Sequence, residues 1–305
     1  MCQVSVNAVE NTAIKGSGST VHYFQRVTLL VSLFAFVLLS AGCGQSFSET
    51  DQAKDSSVVQ LQEDVSAKQH TPVPIDTALY DQKNIQLANG DSSGLWPVKA
   101  PYPLPGAIFP FKRVVSYYGN LYSKRMGILG ELPPAEMLAK LKGEVKKWEA
   151  ADTATEVLPA LHYIAVTAQE SPGKGGKYRL RMPFHQIDSV LKMAEKIDAI
   201  TFVDVQVGLS TLQEEIPQLE KYLLMPDVHL GIDPEFSMKG GHRPGTVIGT
   251  FNADDINYVT GYLADLVKKN NLPPKILVIH RFTQGMVTNY KQIKTRPEVQ
   301  IVMDM

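Results

Sequence analysis

Four short apolar runs of this chain each end in an ionisable residue, and this pattern constrains the fold more than any other feature. The runs are residues 200–204, 230–233, 276–280 and 299–304, which end in Asp204, Asp233, His280 and Asp304. Continuous Val, Ile and Leu runs separated by helical stretches are typical of parallel strands buried on both faces. Because α/β-barrel enzymes carry their sites at the C-terminal ends of the strands, the pattern predicts an enzyme-like site at one edge of a parallel sheet.

The alternation of strand and helix predicts an α/β fold, a (β/α) barrel of TIM type, over residues 111–305. Two further strands are predicted at 114–118 and within 157–166. This makes about six strand–helix units, whereas a closed barrel of this type needs eight. We expect an incomplete barrel, truncated at its C-terminus, because domains rarely end on an uncovered parallel edge. An open six-stranded sheet is the alternative.

Helices are predicted where apolar residues recur at helical spacing. One begins after Pro133 and Pro134, and its stripe consists of Met137, Leu141, Val145 and Trp148. A second is predicted over 184–197, a third near Pro217, and a fourth that ends at 270–271. The fourth begins at Asn252, which has the side chain of an N-cap, with Asp255 three residues later.

The N-terminus predicts export. Residues 27–42 form an apolar core with the length of a secretory signal, shorter than the roughly 20 apolar residues of a membrane span. The core ends in Ser40, Ala41, Gly42 and Cys43, which resembles the lipobox of bacterial lipoproteins. That resemblance implies a signal peptide over 1–43 and acylation of Cys43. The lipid bilayer is then a partner, and the protein is anchored on the exported side of the cell membrane or outer membrane.

Residues 44–110 are predicted to hold the folded domain away from the anchor. Up to about residue 71 the composition is rich in Ser, Gln and charged residues, which favours a flexible tether. From residue 72 the chain is rich in Pro and Gly, which favours an extended segment leading into the domain. The net charge of −1 and the lack of a basic patch argue against nucleic acid as a partner.

Asp233 and Glu235 are the leading candidates for chemistry. Two carboxylates at a barrel mouth can differ in pKa, so that one serves as acid and the other as base or nucleophile. Glycosidases use such pairs. Pro234 between them indicates that the strand ends here. The alternative is that Asp233 caps a turn and Glu235 is solvated.

Asp204 and Gln206 repeat this arrangement one strand earlier. Neighbouring strands that end alike would bring Asp204 close to Asp233, as a nucleophile or charge stabiliser, with Gln206 contacting substrate. The alternative is a hydrogen-bonded structural network.

Further polar residues are candidates for substrate binding. Tyr117, His280 and Asp304 are predicted near strand ends, and His162 is predicted within the strand at 157–166. For the histidines, the alternatives are satisfied core residues or a metal-assisted hydrolase. Because no H-x-H or H-E-x-x-H spacing occurs, we predict no metal and no cofactor.

The segments VVSYYGN, GILGELPP, VDVQVG, GIDPEF, HRFT and VMDM resemble a family of uncharacterised bacterial lipoproteins. The resemblance covers residues 111–305 and implies an exported, divergent TIM-type barrel, without an activity that could be transferred. The sequence predicts a lipid-anchored glycoside hydrolase-like protein that acts on a polysaccharide, with Glu235 as the acid/base and Asp233 or Asp204 as the nucleophile or stabiliser. The alternative is a non-catalytic surface protein that binds glycan or protein.

Overall fold

The computed structural model describes residues 5–6, 74–96 and 98–304. Cys43, the predicted tether up to residue 71 and the predicted signal peptide apart from residues 5–6 lie outside these residues. Within the described ranges, no helix is both long and apolar enough to span a membrane.

The centre of the fold is a parallel sheet of six strands that curls into a half barrel. The strands are β1 (Lys112–Gly119), β2 (Glu156–Ala168), β3 (Ile200–Val205), β4 (Val228–Ile232), β5 (Lys275–His280) and β6 (Val299–Asp304). Each strand pairs in parallel with the next one in the chain. This sequential order confirms the predicted six strands and is consistent with an incomplete barrel.

The main helices are α1 (Thr77–Leu87), α2 (Pro134–Ala151), α3 (Phe184–Glu195) and α4 (Ala253–Asn270). Short helical pieces cover Ile128–Glu131, Leu212–Glu215, Ile216–Leu219 and Glu220–Leu223. Single 3-10 turns cover Pro234–Phe236, Gln284–Met286 and Tyr290–Gln292. The helix predicted near Pro217 is therefore divided into short pieces. The predictions for α2, α3 and α4 are confirmed.

Alternation along the strands divides the core into two layers. Outward residues such as Val203 and Val205 pack with the helices in a large cluster. Inward residues form a smaller cluster at the N-terminal end of the strands, which we call the base. Its buried members are Phe109, Val114, Ala160, Ile200, Phe202, Ile276, Val278 and Val302.

The convex layer is built as the apolar periodicity predicts. Met137 and Leu141 of α2 are fully buried, and Val145 and Trp148 pack against the same cluster. Helix α4 begins with a capping box, in which Asn252 accepts from the Asp255 N–H at 3.0 Å and Asp255 accepts from the Asn252 N–H at 2.8 Å. Such caps satisfy helix N–H groups that have no partner within the helix.

Three features differ from the predictions. The lead-in is not extended throughout, because α1 forms after the N-cap Asp76, whose side chain accepts from the Leu79 N–H at 3.0 Å. Helix α1 is largely exposed, so its sequence has no apolar stripe to reveal it. A short strand, Arg179–Arg181, pairs antiparallel with β2. Further two-residue strands are Ser5–Val6, which pairs with β1, and the pair Phe251–Asn252 and Val287–Thr288.

The lead-in closes the base of the half barrel. The Gln300 side chain accepts hydrogen bonds from the backbone N–H groups of Ile108 and Phe109 at 3.0 and 3.1 Å, and donates to the Phe109 carbonyl at 2.7 Å. Phe109 thereby joins the inner cluster. At the opposite, C-terminal end of the strands, which we call the mouth, the inward-facing side chains are mostly polar.

Candidate functional site

The mouth brings together inward-facing side chains from five of the six strands. Register aligns Tyr118 of β1 with His162 of β2, and His280 of β5 with Asp304 of β6. Asp204 of β3 lies between these pairs, beside a register shift in β2 between Ile164 and Val166. Bulges of this kind are common next to active sites because they re-aim side chains.

Asp204 is the buried centre of this cluster, with 0% exposure. Its Oδ2 accepts a hydrogen bond from the Tyr118 hydroxyl at 3.0 Å and lies 3.4 Å from His280 Nε2. Its Oδ1 lies 3.7 Å from His162 Nε2. Burial opposes ionisation of Asp204, but the two histidines outweigh burial and hold the pKa of its carboxyl well below the usual value.

The two histidines differ in electrostatic environment. Burial alone would lower the pKa of His280, but Asp204 and Asp304 outweigh it and the pKa is raised well above 6.5. His280 Nδ1 lies 3.1 Å from Asp304 Oδ2, which fixes the orientation of the ring. Burial dominates at His162 and lowers its pKa. The His162 ring stacks on Phe202, with 4.9 Å between the ring centroids.

Asp233 lies directly after β4 and is also buried. Burial, together with Asp204 and Glu235, raises its pKa to about 7 against the opposing effect of His280. Gln206 contacts Asp233 directly and is linked to Asp204 through the Tyr118 hydroxyl. Its amide nitrogen lies 3.2 Å from Asp233 Oδ2 and 3.4 Å from the Tyr118 hydroxyl oxygen. The predicted convergence of Asp204, Gln206 and Asp233 is therefore present in the geometry.

The spacing between Asp233 and Glu235 is that of a turn, because β4 ends at Ile232. Asp233 caps the 3-10 turn Pro234–Phe236, and its Oδ1 accepts from the Glu235 N–H at 3.0 Å. The turn-capping alternative is thus confirmed for Asp233, whose carboxylate also lies in the cluster. The Glu235 side chain is partly exposed, and its partial burial raises its pKa.

Two residues differ from their predicted roles. Tyr117 lies on the convex face and is buried with the helix-facing cluster, so it is separated from the mouth by the sheet. Its neighbour Tyr118 is the tyrosine of the site. Alternation along β1 places the two on opposite faces, and the structure shows that Tyr118 shares the inward face with Val114. Asp204, proposed as a nucleophile, has no exposed surface through which to contact a substrate.

Several buried polar atoms of the mouth have no hydrogen-bond partner among the described residues. They include His162 Nε2, Asp204 Oδ1 and His280 Nε2. In native proteins such atoms are rare and require an explanation, which can be an ion or a water molecule. Ligand atoms of these three residues all lie within 4.8 Å of one another, so they could hold a metal ion.

The loops that follow the strands carry exposed rings around the mouth. Tyr122 follows β1 and Phe282 follows β5, with 60% and 55% exposure. Contiguous exposed apolar side chains mark ligand or partner surfaces, and these two rings stand on loops that leave strands at this end. The Gly and Lys residues at 173–177 form a turn between β2 and the strand Arg179–Arg181.

A cleft of about 710 Å³ lies at the base, lined by Leu158, Ile200, Pro226 and Pro274 among others. We prefer the mouth as the candidate site although this cleft is large. Ionisable side chains with shifted pKa values converge on one another at the mouth, which is where parallel α/β enzymes place their chemistry.

Comparison of this chain with protein-family models, with curated proteins and with solved structures found no match. The resemblance to bacterial lipoproteins and the functions derived from the sequence therefore stay predictions. The geometry of the mouth is the main support for a function of this protein.

Proposed function

We propose that this protein is a hydrolase of glycoside hydrolase type, built on an incomplete TIM-type barrel and acting on a polysaccharide at the mouth. The observation that carries the proposal is the pair of carboxyl groups on the turn after β4. Asp233 is buried against Gln206, and Glu235 lies two residues further on with a partly exposed side chain.

The two carboxyl groups are suited to different roles. A pKa of about 7 keeps a large fraction of Asp233 protonated near neutral pH, which is the requirement for a general acid. Asp233 would protonate the glycosidic oxygen as the C–O bond breaks. Glu235 would take a proton from the water molecule whose oxygen adds to the sugar carbon. Asp204 would act as a positioning residue, because it holds Tyr118 and His280 without contacting solvent.

The rim of the mouth supports a glycan as the substrate class. Sugar rings have apolar faces that stack on aromatic side chains, and Tyr122 and Phe282 are exposed on loops that leave strands at this end. Polar groups for hydroxyl recognition are present deeper in the mouth, at Tyr118, Gln206 and Asp304.

The test is release of reducing ends from peptidoglycan and a panel of soluble polysaccharides. We expect Asp233→Asn and Glu235→Gln each to lower the rate by about 10²–10⁴-fold, the usual contribution of a general acid or base. Glu149→Gln is the matched control, because Glu149 is exposed on α2. Unchanged turnover in the two mouth variants would remove the enzyme assignment.

A second candidate function is glycan binding without turnover. The exposed rings at the rim favour it, since stacking needs no acid or base. If wild type and both mouth variants retain the same polysaccharide on an affinity gel and none releases reducing ends, the binding function replaces the enzyme.

We also propose that the protein is anchored in a membrane through acylated Cys43. The apolar core before this residue and the small residues next to it support the proposal. Expressed in a bacterium, the wild type should partition into the detergent phase on detergent extraction, and Cys43→Ser should move to the aqueous phase. Equal partitioning of both proteins would contradict the anchor.

A further inference from the structure

We propose that His162, Asp204 and His280 bind one divalent transition-metal ion of the Zn²⁺ class at the mouth. Two imidazoles and one carboxylate form a donor set that suits such ions. The residues come from β2, β3 and β5, so the curl of the sheet brings the ligand atoms together.

The ligand atoms are too far apart for good hydrogen bonds and lie close to the spacing found around an ion. Atoms about 2.0–2.2 Å from a tetrahedral ion lie about 3.3–3.6 Å from one another. The distance from His280 Nε2 to Asp204 Oδ2 is 3.4 Å, within this range, and that from His162 Nε2 to Asp204 Oδ1 is 3.7 Å, just beyond it. Among the described residues, the Nε2 atoms of His162 and His280 make no hydrogen bond.

Each ligand is held in place by a further contact, as metal ligands usually are. Asp304 fixes the His280 ring through Nδ1, which directs Nε2 towards Asp204. The Tyr118 hydroxyl holds one oxygen of Asp204, and stacking on Phe202 holds His162. The site is therefore organised before an ion arrives.

Gly231 of β4 keeps the space beside the ligands open. A methyl group at this position would lie 2.4 Å from both Asp204 Oδ1 and His162 Nε2, where no carbon atom fits. On the opposite side, His280 and Asp304 each retain 16% side-chain exposure, which gives an ion a route from solvent. Three protein ligands would leave a coordination position for water, as in catalytic zinc sites.

This inference deepens the proposed function. The role of the ion in turnover rests on that function, whereas binding of the ion does not. Asp233 and Glu235 are outside the ligand set. Binding is therefore measured without any glycan, and its outcome is separable from that of the turnover assay.

The experiment is equilibrium dialysis of the full chain against Zn²⁺, followed by elemental analysis, with Co²⁺ absorption as a spectroscopic readout. We expect one equivalent in the wild type, loss of tight binding in His162→Gln and His280→Gln, and about 10–100-fold weaker binding in Asp304→Asn. Two matched controls are His185→Gln, exposed on α3, and His229→Gln, buried at the base. Both should bind like the wild type.

A wild type that melts cooperatively in chelator but binds no stoichiometric ion would overturn the proposal. So would His280→Gln binding with wild-type affinity. If His162→Gln does not fold, His280→Gln and Asp304→Asn decide the result, because both residues are partly exposed. A protein that binds the ion but hydrolyses no glycan would remove the proposed function and leave this inference standing.

Discussion

The base and the mouth of the half barrel each hold a buried histidine on the same inward face, and the two are used differently. At the base, His229 Nδ1 accepts a hydrogen bond from the Ile276 N–H at 3.1 Å, and the His229 ring contacts the Phe202 ring. His280 at the mouth lies between two carboxylates. Both have an unpartnered Nε2 within the described residues, so an orphan nitrogen alone does not mark a site. What distinguishes His280 from His229 is that the carboxylates of Asp204 and Asp304 lie beside it.

Lysine use at the base supports the same contrast. Lys275 is fully buried, and its Nζ donates to the carbonyls of Met225 and Val228. Burial lowers its pKa to about 8. These hydrogen bonds satisfy backbone carbonyl groups where the chain enters β4, so Lys275 has a structural role. Lys275 at the base thus completes the fold, whereas at the mouth several unpartnered polar atoms lie next to one another.

The largest expected effect that separates the two ends is the pH dependence of stability. Burial lowers the pKa of His229 from 6.5 to about 3, so its contribution is present above pH 6.5 and is lost as the pH falls towards 3. The shift corresponds to about 5 kcal/mol. In chemical denaturation, the wild type should lose about this much more stability than His229→Gln over that range. Parallel curves would contradict the assignment.

His280 should show the opposite slope. Its pKa is raised in the folded protein, so its contribution is present below pH 6.5 and is lost as the pH rises through the folded pKa. In buffer with a chelator, the advantage of the wild type over His280→Gln should therefore shrink with rising pH. Slopes of the same sign for both histidines would remove the comparison.

Next to the two histidines, a prediction concerns Asp233, whose folded pKa of about 7 lies above the 3.8 of an unperturbed aspartate. Burial of the ionised form is unfavourable, so its stability contribution is lost as the pH rises from about 4 to 7. Asp233→Asn should gain stability relative to the wild type over this range, up to about 4 kcal/mol. Thermal melts at pH 4, 6 and 8 measure the gain. A stability difference between the two proteins that does not change with pH would show that the pKa of Asp233 is not raised in the folded protein.

Another prediction addresses the apolar part of the base. Ile276 is fully buried in the inner cluster, so Ile276→Ala should lower the free energy of unfolding by about 3 kcal/mol. The folded fraction should keep wild-type Zn²⁺ affinity, because the cavity lies away from the mouth. Loss of ion binding without loss of stability would show that the ends are not independent.

The smallest effect is expected at the rim. Tyr122→Ala and Phe282→Ala should weaken retention of a polysaccharide by about 1 kcal/mol each while leaving the unfolding free energy within about 0.5 kcal/mol. Affinity electrophoresis measures the first and denaturation the second. Exposed Tyr290 is a less suitable probe because Arg281 lies over its ring, 5.2 Å from the centroid.

The strand ends were predictable from sequence because burial on both faces requires continuous apolar runs. That signal located Asp204, His280 and Asp304 at one edge, and the capping pattern located the start of α4 at Asn252. It could not orient Tyr117 and Tyr118, since adjacent residues on a strand differ only in face. Nor could it reveal that Gly231 leaves space for the ligand atoms, because that space depends on the strands that lie beside β4 in the folded sheet.

The sequential strand order has a consequence for how the protein reaches its native state. Each strand finds its partner in the preceding segment, so the sheet can grow one strand at a time from β1 as the chain is made. The proposed ion ligands lie on β2, β3 and β5, so the set is not complete before the sheet has grown as far as β5. Binding of an added ion would therefore report assembly through β5, and refolding experiments could use it as a late kinetic marker.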